Sequence, residues 1–333
     1  MQRPQTAPPT GRPGLMMLGH GGLQRRATGR ITSKKFVVAV DGSRLGFRAV
    51  RLAAWLMDEH TKDKIQCVSA TKGISASEAL ELIKSGEDLL KQSGLRPMSI
   101  LPGRVLNLEG GKSLAETISS AASGGHLVMG AGGARLQAEA ANRKSSAAAA
   151  MGSVAQQCMS VCKAPVIIAK PKAVPKLDST KFLEDRRGGA GMVIIVTVDG
   201  SSIAQKSFDM MLRFVHPGDE VHCVFVSTTD EKAVRPGAAN ALLGNSAVRT
   251  YYKQECARAG DRFSQASFEF TSVPLKKASV TDTLIGFVEE KVADLVILGS
   301  VELAKATGEA LGSVSAAVAK KTDANVLISK HFA

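Results

Sequence analysis

Aromatic side chains are scarce in this chain: 333 residues hold 11 Phe, 2 Tyr and 1 Trp, or 4% of the total. That scarcity disfavours an aromatic-rich β-sandwich, while abundant Ala, Val, Leu, Ile and Gly suit tightly wound α/β packing. No apolar run approaches the roughly 18 residues needed to cross a bilayer, which excludes membrane-spanning helices. The five cysteines, Cys67, Cys158, Cys162, Cys223 and Cys256, lack zinc-finger spacing and are odd in number. They read as small packed residues of a reducing compartment, although Cys158 and Cys162, four apart on an expected helix, also have the spacing of a redox pair. The six histidines show no metal-ligand spacing. Among them, His126 and His222 fall at or in expected strands and read as packed or edge residues. A Walker lysine motif and a nucleophile elbow are both missing. Gly130-Ala131-Gly132-Gly133-Ala134-Arg135 lacks the last glycine of a dinucleotide fingerprint and does not follow the first strand.

Acidic residues are absent before Asp41, whereas Arg3, Arg12, Arg25, Arg26, Arg30, Lys34 and Lys35 supply seven positive charges of a net +13. More than half of the excess therefore sits on one arm, and nucleic-acid binding is not expected as the main role. With Pro4, Pro8, Pro9 and Pro13 as well, residues 1–34 read as a disordered basic arm. The same acid-free composition suits an organelle transit peptide, and Arg25-Arg26-Ala27-Thr28 suits a basophilic kinase. A stretch from 171 to 191, carrying Pro175, Asp178, Glu184, Asp185, Arg186, Arg187 and Gly188-Gly189, reads as a low-order linker. The length then allows two domains, at 35–170 and 192–331.

What is present is a repeat. Val37-Val38-Ala39-Val40-Asp41-Gly42-Ser43 returns as Ile195-Val196-Thr197-Val198-Asp199-Gly200-Ser201. Each is a β-branched run ending in a turn, the pattern of a buried parallel strand. A helix is expected next in both copies, with Phe47, Val50, Ala54 and Met57 on one apolar face and Phe208, Met211, Leu212 and Val215 on the other. Second strands are expected at Ile65–Val68 and Val221–Val224, and long helices ending near Gly94 and Gly260. Third strands run into Pro102 and Pro274. Fourth strands close at Leu127-Val128-Met129-Gly130 and Leu295-Val296-Ile297-Leu298-Gly299, and fifth strands lie at 165–170 and 325–330. Each half is thus expected as a five-stranded, doubly wound parallel α/β sheet of the Rossmann-like kind.

The copies are offset by 158 residues at Asp41 and Asp199, by 169 at Gly130 and Gly299, and by 160 at Gly152 and Gly312. Nine extra residues therefore lie between Gly130 and Gly152.

Val-Asp-Gly-Ser after strand one, Met-Gly or Leu-Gly closing strand four, and Met151-Gly152-Ser153-Val154 or Leu311-Gly312-Ser313-Val314 opening a last helix together resemble the universal stress protein family, in a tandem two-domain form. The resemblance implies a stress-response or signalling module that binds adenine nucleotide, ATP with or without Mg2+, through a G-x-x-G-x9-G-[ST] cradle and an Asp at the end of strand one. Carried over, the first site is Val40, Asp41, Met129, Gly130, Gly133, Gly152 and Ser153. The second, weaker site is Val198, Asp199, Leu298, Gly299, Gly312 and Ser313. The chemistry suits an anion: glycines let backbone N–H groups approach phosphate, and a helix N-terminus favours negative charge.

Both copies depart from the pattern. In the first, 18 residues rather than nine separate Gly133 from Gly152. If the surplus loops out, the cradle survives and Arg143 or Lys144 can reach a phosphate; if not, the helix N-terminus is displaced. In the second, Glu302 replaces a glycine, and a carboxylate about 4 Å from a phosphate costs roughly 1–4 kcal/mol. The first site is therefore preferred.

Three functional readings follow. One is an ATP-binding module without catalysis beyond slow ATP hydrolysis, in the cytoplasm unless the arm targets it elsewhere. Another is a nucleotide-free interaction scaffold. The family's fifth strands often pair across a dimer, and Val166–Ala169 with Val326–Ser329 would make an intramolecular pseudo-dimer, or pair in a homo-oligomer. The third is an enzyme of the related adenine-nucleotide hydrolase-like superfamily.

Overall fold

The computed structural model describes residues 33–58, 61–108, 110–133, 151–171, 174–227, 245–275, 279–301 and 311–331. Short β-branched runs form strands wherever both faces are covered. In chain order the first half contains β1 (Lys35–Ala39), α1 (Arg44–Trp55), β2 (Lys64–Ala70), α2 (Ala76–Gln92), β3 (Ile100–Leu106), α3 (Leu114–Ala121), β4 (His126–Gly130), α4 (Ser153–Val161) and β5 (Val166–Ala169). A 3-10 turn (Pro175–Asp178) and α5 (Phe182–Arg187) lead into the second half. That half repeats the plan with β6 (Val193–Thr197), α6 (Ser202–Met211), β7 (Glu220–Ser227), α7 (Asn245–Arg262), β8 (Ser267–Pro274), α8 (Val280–Glu290), β9 (Leu295–Val301), α9 (Ser313–Lys321) and β10 (Asn325–His331). Among the described residues no helix is long and apolar enough to cross a membrane.

Each half is a parallel five-stranded sheet in the doubly wound order, so β1 and β4 are neighbours, as are β6 and β9. The two sheets are one. β5 and β10 pair antiparallel, with Ile167 opposite Leu327, giving the ten-stranded order β3-β2-β1-β4-β5-β10-β9-β6-β7-β8. Helices cover both faces, and a continuous apolar layer lies under each, drawn from both halves. The seam is tied by Asn325, whose side-chain oxygen accepts from the Lys170 amide at 2.9 Å and whose Nδ2 donates to the Asp294 carbonyl at 3.0 Å. Lys330 Nζ donates to the Ser160 carbonyl at 3.0 Å, placing a cation at the last turn of the other half's helix, where the macrodipole favours it.

Helix starts follow from serine. Ser43, Ser75, Ser113, Ser201 and Ser279 each accept a first-turn amide, and Glu78 and Glu116 complete capping boxes. Gly94, at φ +82°, follows the end of α2 as expected. Gly260 does not end α7, which continues to Arg262.

The third strand of the first half also differs from expectation. It begins at Ile100, contains Pro102, and runs on to Leu106. β3 is a sheet edge, so the missing N–H of proline breaks no ladder bond, and the register shifts between Gln66 and Val68 as in a bulge.

Residues 174–191 are not a low-order linker. Leu177, Phe182 and Leu183 are buried, and Arg48, on α1, donates to Asp178 and to the Val174 and Lys170 carbonyls. Arg186 forms a two-pronged pair with buried Asp219. Of the charged residues that read as solvated, Arg186 is paired inside while Asp178 stays partly exposed in its pair with buried Arg48, and their segment roofs α1. That roof also explains why α1 is buried nearly all round rather than on one stripe. Lys34, counted with the basic arm, belongs to the fold. Its amide donates to Asp63 at 2.7 Å, and its side chain is buried against Asp63 and the Arg213 carbonyl of the second half. The rest of the arm, residues 1–32, lies outside the described residues.

Candidate functional site

β1 and β4 are adjacent and parallel, so their carboxyl ends bring Asp41 beside the glycine turn after Gly130, at the point where the strand order reverses. Asp41 is exposed. Its Oδ1 accepts from the Ser43 amide at 3.1 Å and the Ser43 hydroxyl at 2.6 Å. Its Oδ2 lies beside Gly133, where an added Cβ would stand 3.0 Å away. Gly46 approaches from the first turn of α1, and a Cβ there would be 2.6 Å from Oδ1. One carboxylate oxygen is thus occupied locally, and the other borders the glycine turn.

Gly130 has a packing role beside the one its motif implies. A Cβ there would meet the backbone of Leu45 at 2.8 Å, so the glycine lets the start of α1 lie against the end of β4. At Gly299 a Cβ would meet only side chains of α6, Ile203 at 3.1 Å and Ser207 at 3.2 Å. The backbone of Leu45 cannot swing aside as a side-chain tip can. Gly130→Ala is therefore expected to cost about 1–3 kcal/mol without any nucleotide present, read as a lower urea midpoint. An unchanged midpoint would assign the glycine to ligand contact alone.

Gly152 is the N-cap of α4, and its amide donates to the Ala131 carbonyl at 2.7 Å. This bond holds the helix start against the end of β4 although 134–150 lie outside the described residues. Neither Gly152 nor Gly312 offers a side-chain cap, and no acidic residue stands in the first turn of α4 or α9. Ser153 and Ser313 are exposed at the head of these helices. Val40, Met129, Val198 and Leu298 are buried in the core, so only their backbone faces the strand ends.

In the second half Asp199 Oδ1 accepts from the Ser201 amide at 2.9 Å. The Gly312 amide donates to Ser300 Oγ at 3.2 Å, and Ser315 Oγ donates to the Gly299 carbonyl at 2.8 Å. Hydroxyls thus take the place of the main-chain tie seen in the first half. The motifs did not single out Ala131, Ser300 or Ser315, whose roles depend on where a helix start meets a neighbouring strand. Glu302, Arg143 and Lys144 lie outside the described residues.

The cysteines and His222 are packed away. All five cysteines are buried and reduced, and burial pushes the Cys67 thiol up to about 12 and that of Cys158 up to about 11. Cys223 is raised by burial and by its neighbour Cys256. His222 is fully buried, with Nε2 2.7 Å from Glu220 and Nδ1 3.2 Å from Glu269. Among the described residues no cluster of three or more His, Cys, Asp or Glu is placed to hold a metal.

The chain is similar to a universal stress protein from Archaeoglobus fulgidus DSM 4304, with 16% identity over 90% of this chain and 98% of that one and a TM-score of 0.54. It is likewise similar to a candidate universal stress protein from Pseudomonas aeruginosa UCBPP-PA14, at 13% identity over 90% and 94% with a TM-score of 0.56. A universal stress protein solved in complex with cAMP aligns with 41% of this chain and 95% of its own, at 23% identity and a TM-score of 0.30. No curated protein sequence matches the chain. At such identities the two longer alignments speak to the fold, an α/β architecture with a mostly parallel sheet. Residues 192–330, in the second half of the chain, match the model of the universal stress protein family.

Proposed function

We propose that the chain is an adenine-nucleotide-binding stress or signalling module that holds ATP, with Mg2+, in its first half. Val40 and Met129 would contribute backbone, Asp41 its carboxylate, and Gly130, Gly133, Gly152 and Ser153 the phosphate cradle. One observation carries the reading: Asp41 borders Gly133 while the start of α4, with no side-chain cap, is tied to the same strand end through Gly152 and Ala131. Helix amides that no side chain caps, beside a turn without Cβ atoms, suit phosphate oxygens. The group would add phosphate charge at that helix start; the protein's part is to orient it and shield it from water.

Mg-ATP at a hundredfold excess over its Kd is expected to stabilise the chain by about 2.7 kcal/mol and to raise Tm by about 5 °C. Asp41→Ala should remove that shift, whereas Asp199→Ala should leave most of it. Native protein that neither releases ATP on denaturation nor responds to Mg-ATP would defeat the reading.

The antiparallel pairing of β5 with β10 favours a second reading, an interaction scaffold built as an intramolecular pseudo-dimer. Partner capture that survives loss of both Asp41 and Asp199 would support it.

A further inference from the structure

Among the described residues the ten-stranded sheet ends at β3 and β8, because β5 and β10 already pair with each other. The two ends differ. β3 carries devices that keep an edge single: Pro102 inside it, a register shift in its pairing with β2, and the exposed cation Arg104. β8 holds one unbroken register with β7, from Glu220 opposite Ser267 to Ser227 opposite Pro274, and its proline comes last. Glu269 is its single charge and lies 3.2 Å from His222, while Phe268 and Phe270 are half-buried on the other face. The Ser267 amide donates to the Asp219 carbonyl and the Leu275 amide to the Ser227 carbonyl, each at 2.9 Å. Strand backbone alternates, so the odd-numbered residues turn their N–H and C=O towards β7, and Phe268, Phe270 and Ser272 turn theirs outward. Such a row is a template for another strand.

We propose that β8 is the interface for a second copy of this chain, the two β8 strands pairing antiparallel about a two-fold axis at Phe270. Outward-facing residues must meet outward-facing residues, so Phe268 stands opposite Ser272 of the second copy and Phe270 opposite its own counterpart. This register uses all three outward amides and leaves Pro274 beyond the ladder. It sets Glu269 opposite Thr271, so like charges are not opposed, and it brings the two Phe270 rings together as a cross-strand aromatic pair. The chain joins its own halves by the same device, the antiparallel pairing of β5 with β10. A two-fold joint consumes the β8 edge of both copies, and growth stops at the guarded β3 edges. Nothing in this joint depends on the nucleotide site at Asp41.

The test is sedimentation equilibrium of the full chain, with hydrogen exchange resolved by residue. The expected mass is twice that of one chain. The amides of Phe268, Phe270 and Ser272 should be protected in the dimer and lose protection on dilution, while those of Glu269 and Thr271 stay protected in both states. Ser272→Pro removes one outward amide and leaves the bonds to β7 in place. It should weaken association about a hundredfold, because the two-fold axis loses that bond twice. A single-chain mass up to roughly 100 μM overturns the proposal, whether or not the edge takes an extended segment of some other protein. A dimer that survives Ser272→Pro, or whose three outward amides exchange freely, is built on another surface and overturns it as well. Hydrogen exchange uses the native chain, so misfolding of the proline variant leaves the test intact.

Discussion

Arg186→Ala is expected to destabilise the chain by about 3–5 kcal/mol, the cost of leaving a buried charge without its partner. Arg186 Nη1 and Nη2 donate to the two oxygens of Asp219 at 2.5 and 3.0 Å, and both side chains are almost wholly buried. Nη1 also donates to the Ala190 carbonyl at 3.1 Å, and the guanidinium stacks 5.1 Å from the Trp55 ring centroid. After the substitution Asp219 would retain only the amides of Met192 and His216, each at 2.8 Å. Those neutral donors do not offset a buried negative charge. Arg186→Met combined with Asp219→Asn should recover part of the loss, because no unpaired charge then remains. Guanidinium chloride unfolding measures both variants. A loss below 1 kcal/mol for Arg186→Ala would mean that water reaches Asp219.

Acid should weaken the packing of His126 against Phe214. His126 is buried between Phe36, stacked at 5.4 Å, and Phe214, edge-on at 5.5 Å, with Nδ1 lacking a partner among the described residues. Burial first, then the nearby charge of Lys34, lowers its pKa from the usual 6.5 to about 4, against a bond to the Lys35 backbone and the charge of Asp63. His216 falls to about 3, mainly through burial and then through Arg186. A folded-state pKa below the unfolded value means that the unfolded chain takes the proton first. Stability from His126 is therefore complete above about pH 6.5 and is lost as pH falls towards 4. The loss is on the order of 3 kcal/mol for that residue. His126→Phe keeps an aromatic ring between Phe36 and Phe214 and removes the titration. Its urea midpoint should fall less steeply than that of the parent chain between pH 7 and pH 4.5. Equal slopes would show that His126 is already protonated, or hydrated, in the folded chain.

The candidate site was half legible before its geometry was known. Asp41 and Gly133 come together because each ends or follows a strand, and strand ends are marked by local pattern. Gly130 carried the family's motif, yet its missing Cβ makes room for Leu45, a packing demand that only the approach of α1 reveals. Ser43 and Ser201 looked like parts of a turn and are also helix caps. The pairing of Arg48 with Asp178 had no sequence signal, since Asp178 sits 130 residues from it and inside a stretch whose composition suggested solvent.

Alternation of β-branched runs with amphipathic segments, repeated twice, was enough to set the order of strands and helices, because those choices depend on neighbours a few residues apart. The joining of two five-stranded halves across Ile167 and Leu327, the burial of Lys34, Arg48 and Arg186, and the folding of 174–191 onto α1 were decided by the tertiary structure. Each of these depends on partners far away in the chain: Lys34 meets the Arg213 carbonyl at a separation of 179 residues, and Arg48 meets Asp178 at 130. A charged residue reads as solvent-facing until its counter-charge is known, and that counter-charge is supplied only when the chain closes on itself.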